Sequence, residues 1–208
     1  MSGADHLRLI LVRHGQTEWN LQGRYQGRAD PPICPVGFVT AQRAAAALHG
    51  RGAALLLASP LQRARQTAAV IARTVGGLQS VVDERLTEID FGQWQGLTQA
   101  QVRVRWPALL RSWKRAPDSV RFPGGERLLD ALERLRDFLL NPPWLGCGAQ
   151  CALAVSHAGV IRLASLLAEE RPLAQFREIA VASGALHEFH WYAGGSLRRV
   201  ACTALSRG

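Results

Sequence analysis

The chain has 208 residues, of which 48% are hydrophobic and 20% charged, with a formal net charge of +9. That length and balance suit one globular domain over residues 1–208 and exclude a disordered or fibrous chain. No apolar run approaches the roughly 20 residues that cross a bilayer. The segment Met1 to His6 carries no basic, apolar leader pattern, so the expected location is the cytoplasm.

In chain order, Leu7 to Val12 reads as a buried strand. Val36 to His49, with Ala41, Ala44, Ala45 and Leu48 at helical spacing, reads as a helix ending at Gly50. Ala53 to Ala58 is a second strand and Leu61 to Val75 a second helix, followed by a short strand at Gln79 to Val82. Leu97 to Lys114 has helical character interrupted at Pro107. Glu126 to Leu140 carries Leu128, Leu129, Leu132, Leu135, Phe138 and Leu139 on one side, a strong helix pattern. Ala152 to Val155 is a buried strand and Val160 to Glu169 a helix. Leu186 to Trp191 and Leu197 to Thr203 flank Gly194-Gly195-Ser196 as a closing hairpin. This order predicts an α/β fold, a three-layer α/β/α sandwich around a mostly parallel sheet.

The positive charge is almost entirely arginine, with Lys114 the only lysine. It is spread over helix-like segments such as Arg103-Val104-Arg105, with no basic block, which favours solvated helix faces over a nucleic-acid surface. Cys34, Cys147, Cys151 and Cys202 form no Cys-x-x-Cys pair and no zinc spacing, so they read as free thiols. No metal or cofactor is expected, and neither nucleic acid nor a membrane is expected as a partner. The oligomeric state is left open, a homodimer included.

Each of the three best strands ends on polar residues. Leu9 to Val12 runs into Arg13-His14-Gly15, Ala54 to Ala58 into Ser59-Pro60 with Arg63 just beyond, and Ala152 to Val155 into Ser156-His157-Ala158-Gly159. In open α/β sheets ligands bind beyond the carboxyl ends of the strands. Parallel neighbours would therefore bring two arginines and two histidines to one point. Guanidinium forks match phosphate oxygens, and a neutral imidazole can attack phosphorus. The leaving oxygen then needs an acid, and Glu88, after an apparent strand, is the best candidate, with Glu84 and Asp90 as nearby carboxylates.

The run Arg13-His14-Gly15-Gln16-Thr17-Glu18-Trp19-Asn20 resembles the signature of the histidine phosphatase superfamily, or phosphoglycerate mutase-like family. Ser59-Pro60-Leu61-Gln62-Arg63-Ala64, Leu86 to Gly92, Gly124-Gly125-Glu126 and Ser156 to Arg162 follow in the family's order. The resemblance implies that His14 is the phosphorylated nucleophile, that Arg13, Arg63 and His157 hold the phosphoryl group, and that Glu88 donates the proton. It implies a hydrogen bond from Asn20, and an entrance lined by Gln26 and Gly27 with Thr17 and Ala158 close by. It also implies metal-free hydrolysis of a small phosphorylated metabolite. Trp106-Pro107, Trp113 and Phe122 to Glu126 are similar to α-ribazole phosphatases, and sugar phosphates or phosphoglycerate fit the same pattern. A mutase, or a binding module without catalysis, are the alternatives.

Three positions depart from the family pattern: Cys34 at a helix cap, Ala158 for glycine, and Arg127 after Gly124-Gly125-Glu126, where substrate contacts would change. Each site residue also has a structural alternative. Asn20 could cap a turn, and Glu126 could serve as an acid in the first turn of its helix. The tryptophans read as packing or pocket-wall residues.

Overall fold

The computed structural model describes residues 6–203. The amino-terminal residues 1–5, part of the segment read for a leader, lie outside this range. Six strands form one sheet: β1 (His6–Arg13), β2 (Leu55–Ala58), β3 (Ser80–Val82), β4 (Cys151–Ser156), β5 (Leu186–Tyr192) and β6 (Leu197–Thr203). Their order is β3-β2-β4-β1-β5-β6. The pairs β3/β2, β2/β4 and β4/β1 are parallel, while β5 and β6 add an antiparallel edge.

Among the described residues, seven α-helices accompany the sheet: α1 (Glu18–Leu21), α2 (Pro35–Leu48), α3 (Gln62–Thr74), α4 (Gln99–Arg105), α5 (Pro107–Arg115), α6 (Leu128–Leu140) and α7 (Ala158–Ala168). The strands are apolar on both sides because both faces are covered. Ile10, Val12, Leu56, Ala58, Leu153 and Val155 pack on Ala44, Ala45, Ala64 and Ala68 of α2 and α3. Leu9, Leu11, Leu57, Ala152 and Ala154 face the larger core built by α6, α7 and the segment 86–122. The period of two along each strand thus divides the core into two layers, and the expected three-layer sandwich is what the chain forms.

The element ends follow local chemistry. Thr98 and Gln101 close a capping box at the start of α4. Pro107 ends that helix and opens α5 at its first turn, so the interrupted segment becomes two helices. Cys34 precedes Pro35 of α2 and makes no side-chain cap bond. Leu129, read as part of the apolar stripe of α6, is exposed, while Leu128, Leu132, Leu135, Phe138 and Leu139 are buried.

Two sequence expectations change here. Glu88 does not follow a strand directly: a single 3-10 turn, Glu84–Leu86, stands between it and β3, capped by the Asp83 side chain. Glu126 is not a first-turn helix acid, because α6 begins at Leu128 with Arg127 as its cap. One carboxylate oxygen of Glu126 takes Arg28 and Arg134 at 3.0 Å each, and the other accepts from the Asp90 amide.

Candidate active site

The register of the parallel strands sets the site. Arg13 lies opposite Ser156, and Ala58 and Val12 both pair with Val155, so three strand ends stop at one level. A cavity of about 280 Å³ opens there. Its wall includes Arg13, His14, Asn20, Gln26, Gly27, Arg63, Glu88 and Ala158, all anticipated from the sequence. His157 lies fully buried behind it, its ring centroid 5.1 Å from that of His14.

His14 is held in one tautomer. Its Nδ1 lies 2.7 Å from the Gly15 carbonyl, which can only accept, so Nδ1 carries the proton. The Nε2 lone pair receives the Arg63 Nε–H at 3.3 Å. Burial pushes the imidazole well below its ordinary pKa of 6.5, and the charges of Arg63 and Arg13 push it further. The ring is therefore held toward its neutral form, with its Nε2 lone pair directed at the Arg63 guanidinium.

Gly15 serves a different purpose from a turn. Its backbone needs no left-handed conformation, but a Cβ there would collide with the Gly37 carbonyl of α2, and one on Gly37 would collide with Gln16. The Gly15 amide donates to Thr67 Oγ1 of α3 at 2.9 Å. These glycines let α2 press against the loop that carries His14.

Arg63 occupies the first turn of α3 and is fully buried. Its Nη1 and Nη2 donate to the Ala29 and Gly27 carbonyls at 2.7 Å each, which ties the 26–29 loop to the site. Arg13 Nη1 donates to the Val181 carbonyl at 2.6 Å, while its buried Nε has no partner. Burial lowers both arginines to about 10, partly opposed by Glu88, so both stay charged at neutral pH.

His157 precedes α7. Its Nε2 lies 2.7 Å from Ser59 Oγ, and its buried Nδ1 has no partner. Burial, then the positive charges around it, Arg63 and Arg13 among them, hold it well below the ordinary value. Glu88 is buried against the start of the same helix. The Gly159 amide donates to Oε2 at 3.2 Å and the Ile89 amide to Oε1 at 3.0 Å. A Cβ at 159 would overlap Glu88 Oε1, so only glycine lets the carboxylate come this close. Arg134 adds support from behind by donating to the Thr87 carbonyl at 2.9 Å.

Asn20 lies on the cavity wall and also closes a capping box with Thr17: its Oδ1 accepts from the Thr17 amide at 3.0 Å. That bond points the amide oxygen away and leaves Nδ2 as the free end. Thr17 is buried as the cap of α1 and does not line the cavity. Arg127 also lies away from the cavity, where it is exposed and paired with Asp130. Trp113 is a wall residue, whereas Trp94 and Trp144 are core residues.

Sequence reasoning passed over Ser59, Gly159 and Arg162, which lay inside quoted motifs without an assigned role. It also passed over Arg24, Tyr25, Phe91, Phe176 and Arg177, which complete the wall. Phe176 and Arg177 sit in a 3-10 segment, Leu173–Glu178, with no motif of its own. Among the described residues, no three His, Cys, Asp or Glu side chains gather as metal ligands.

The family model for the histidine phosphatase superfamily (branch 1) matches residues 9–203. The chain belongs to that superfamily. It is 40% identical over 187 residues to a bifunctional protein of Mycobacterium tuberculosis, an alignment covering 88% of this chain and 47% of the relative. The chain thus spans about half the length of that relative. It is 32% identical over 204 residues to the glucosyl-3-phosphoglycerate phosphatase of M. tuberculosis, covering 93% and 90% of the two chains. The structure of a mycobacterial glucosyl-3-phosphoglycerate phosphatase complexed with VO3 superimposes with a TM-score of 0.80 at 28% identity, over 97% of this chain and 100% of the other. Among the described residues, no helix of this histidine phosphatase is long and apolar enough to cross a membrane.

Proposed function

We propose that this histidine phosphatase is a phosphomonoesterase that hydrolyses a small phosphorylated metabolite through a phosphohistidine at His14. The observation that carries this reading is the fixed tautomer of His14: a neutral Nε2 lone pair beside two charged arginines in a cavity that also holds a carboxyl group. Nε2 attacks phosphorus, and the ester P–O bond breaks as Glu88, carrying a proton, gives it to the leaving oxygen. Arg13, Arg63 and the Nδ1 of His157 stabilise the equatorial oxygens, with Asn20 Nδ2 as a further donor. Water then attacks the phosphohistidine, the P–N bond breaks, and Glu88 takes the water's proton. Inorganic phosphate leaves, and His14 is restored.

The guanidiniums supply the charge stabilisation, so the proposed reaction needs no metal. Four free thiols, Cys34, Cys147, Cys151 and Cys202, support a reducing compartment such as the cytoplasm. The cavity size and its enclosed charges support a small metabolite rather than nucleic acid as substrate.

The test is p-nitrophenyl phosphate hydrolysis with excess chelator, comparing wild type with His14→Ala. Chelator-resistant turnover lost in the variant, with acid-labile phosphate trapped on the wild type, is the expected result. Equal turnover in both proteins removes His14 as nucleophile. Release of alcohol without an equal amount of free phosphate would instead indicate transfer to a second substrate, the mutase reaction.

A further inference from the structure

Five arginines line the cavity, Arg13, Arg24, Arg63, Arg162 and Arg177, against one carboxylate, Glu88. Among the described residues outside the cavity, nine arginines form ion pairs with acids. Among the described residues, no ion pair uses a cavity arginine. A dianionic phosphoryl group at His14 leaves at least two positive charges of the wall unanswered.

Those charges have a defined place. The Arg162 guanidinium lies over the Phe176 ring at 5.4 Å, and that of Arg177 over the Trp113 ring at 6.0 Å. The two rings are neighbours, with centroids 5.7 Å apart. Two cations are therefore mounted on two neighbouring rings, tilted 52° to each other. Burial lowers the pKa of Arg162, Glu88 opposes this, and Arg177 lowers it further. Adjacent like charges cost free energy that an anion between them would relieve. Arg162 spends only Nε on the protein, donating to the Ile179 carbonyl at 2.9 Å, and Arg177 makes no hydrogen bond among the described residues. The two Nη groups of Arg162 and the N–H groups of Arg177 therefore remain for an acceptor.

We propose that Arg162 and Arg177 form a second anion receptor on the outer wall, and that the substrate is a phosphomonoester bearing a second anionic group, a carboxylate or another phosphoryl. This rests on the phosphomonoesterase reading above. The cavity, at about 280 Å³, lies below the range of roughly 300–1,000 Å³ typical of drug-sized ligands. His14, Arg162 and Arg177 line this one cavity, so both anionic groups belong to one compact ligand.

The experiment compares three esters on a three-carbon backbone: 3-phosphoglycerate, propane-1,3-diol bisphosphate, and glycerol 3-phosphate, which has no second anion. The wild type is expected to favour one of the first two over glycerol 3-phosphate by at least tenfold in kcat/KM, and which of them it favours identifies the second anion. In Arg177→Gln and Arg162→Gln the ratio falls toward one, and Arg177→Lys recovers part of it. A second arm measures binding of the same esters to His14→Ala by calorimetry, with and without Arg177→Gln. A wild-type ratio near one with all three esters hydrolysed overturns the receptor and leaves the phosphatase standing. If no ester is hydrolysed, a tenfold binding preference erased by Arg177→Gln upholds the receptor while the hydrolytic reading fails. Equal binding of all three overturns it.

Discussion

At the inner end of the cavity, the side chains are fixed largely by main-chain atoms. The Gly15 carbonyl sets the His14 tautomer, the Gly27 and Ala29 carbonyls hold Arg63, the Val181 carbonyl holds Arg13, and two amides hold Glu88. At the outer wall, Arg162 and Arg177 lie over aromatic rings; one main-chain bond, from Arg162 Nε to the Ile179 carbonyl, reaches this pair, and Arg177 is exposed. Main-chain hydrogen bonds fix distance and direction, whereas a cation held over a ring is free to slide. The inner end therefore suits one reaction geometry, and the outer wall suits selection among leaving groups.

The largest effect is expected at His14, the proposed nucleophile. His14→Ala is expected to lower kcat by about 1,000-fold or more, as the loss of a nucleophile does elsewhere. Steady-state assays on a protein whose circular dichroism matches wild type measure this, and a loss below tenfold would deny the inner end its role. Next comes Glu88→Gln, expected to cost roughly 100- to 10,000-fold with an alkyl phosphate, within the range for general acids. The loss should be smaller with p-nitrophenyl phosphate, whose leaving group needs less help from a proton. Equal losses on both esters would make Glu88 a structural residue.

Gly159→Ala tests the positioning of the acid without removing it. The new methyl group overlaps Glu88 Oε1, so kcat should drop by about tenfold or more, with the larger effect again on alkyl esters. An unchanged leaving-group dependence would show that the Glu88 position is not decisive.

The pH profile sharpens the same contrast. His14 is held well below 6.5 by burial and by Arg63 and Arg13. The acid limb of kcat/KM due to His14 should therefore lie below pH 6.5, and Arg63→Gln should move it upward by removing a positive neighbour. Stability follows the same sign. His14 and His157 are depressed in the folded state, so the unfolded chain binds more protons once pH drops below about 6.5. Stability should be full above that value and be lost as pH falls toward the folded values. Denaturant titrations at pH 7.5 and 5.5 measure it.

The smallest effect lies far from either end. Cys34→Ser supplies the missing cap acceptor of α2 and should stabilise by about 1 kcal/mol. That corresponds to roughly 2–4 °C in thermal midpoint. A lowered midpoint would mean that the buried thiol contributes more by packing than a cap bond can return.

Much of the inner end was legible because strand ends carry short, contiguous motifs, and parallel pairing brings such ends together. Arg13, His14, Arg63 and His157 could be placed from three segments alone. Glu88 was identified, although a 3-10 turn rather than a strand delivers it. Thr17, expected close by the entrance, meets the wall residue Asn20 but does not line the cavity, because its hydroxyl serves as a helix cap. Glu126 was taken for a helix acid because its neighbours in space, Arg28 and Asp90, are distant in sequence. The outer wall was least legible. Trp113 and Phe176 come from α5 and a 3-10 segment some sixty residues apart, and no periodicity announces that their rings meet.

The opening of α7 links two tasks that chemistry treats as separate. His157, proposed to face the phosphoryl group, and Gly159, whose amide donates to Glu88 Oε2, are two residues apart at the start of this helix. Glu88 itself stands outside α7, after the 3-10 turn Glu84–Leu86. One turn of helix therefore touches both the proposed oxyanion clamp and the proposed acid. A change that shifts this turn would disturb both tasks at once, whereas a side-chain change at the outer wall can leave them in place.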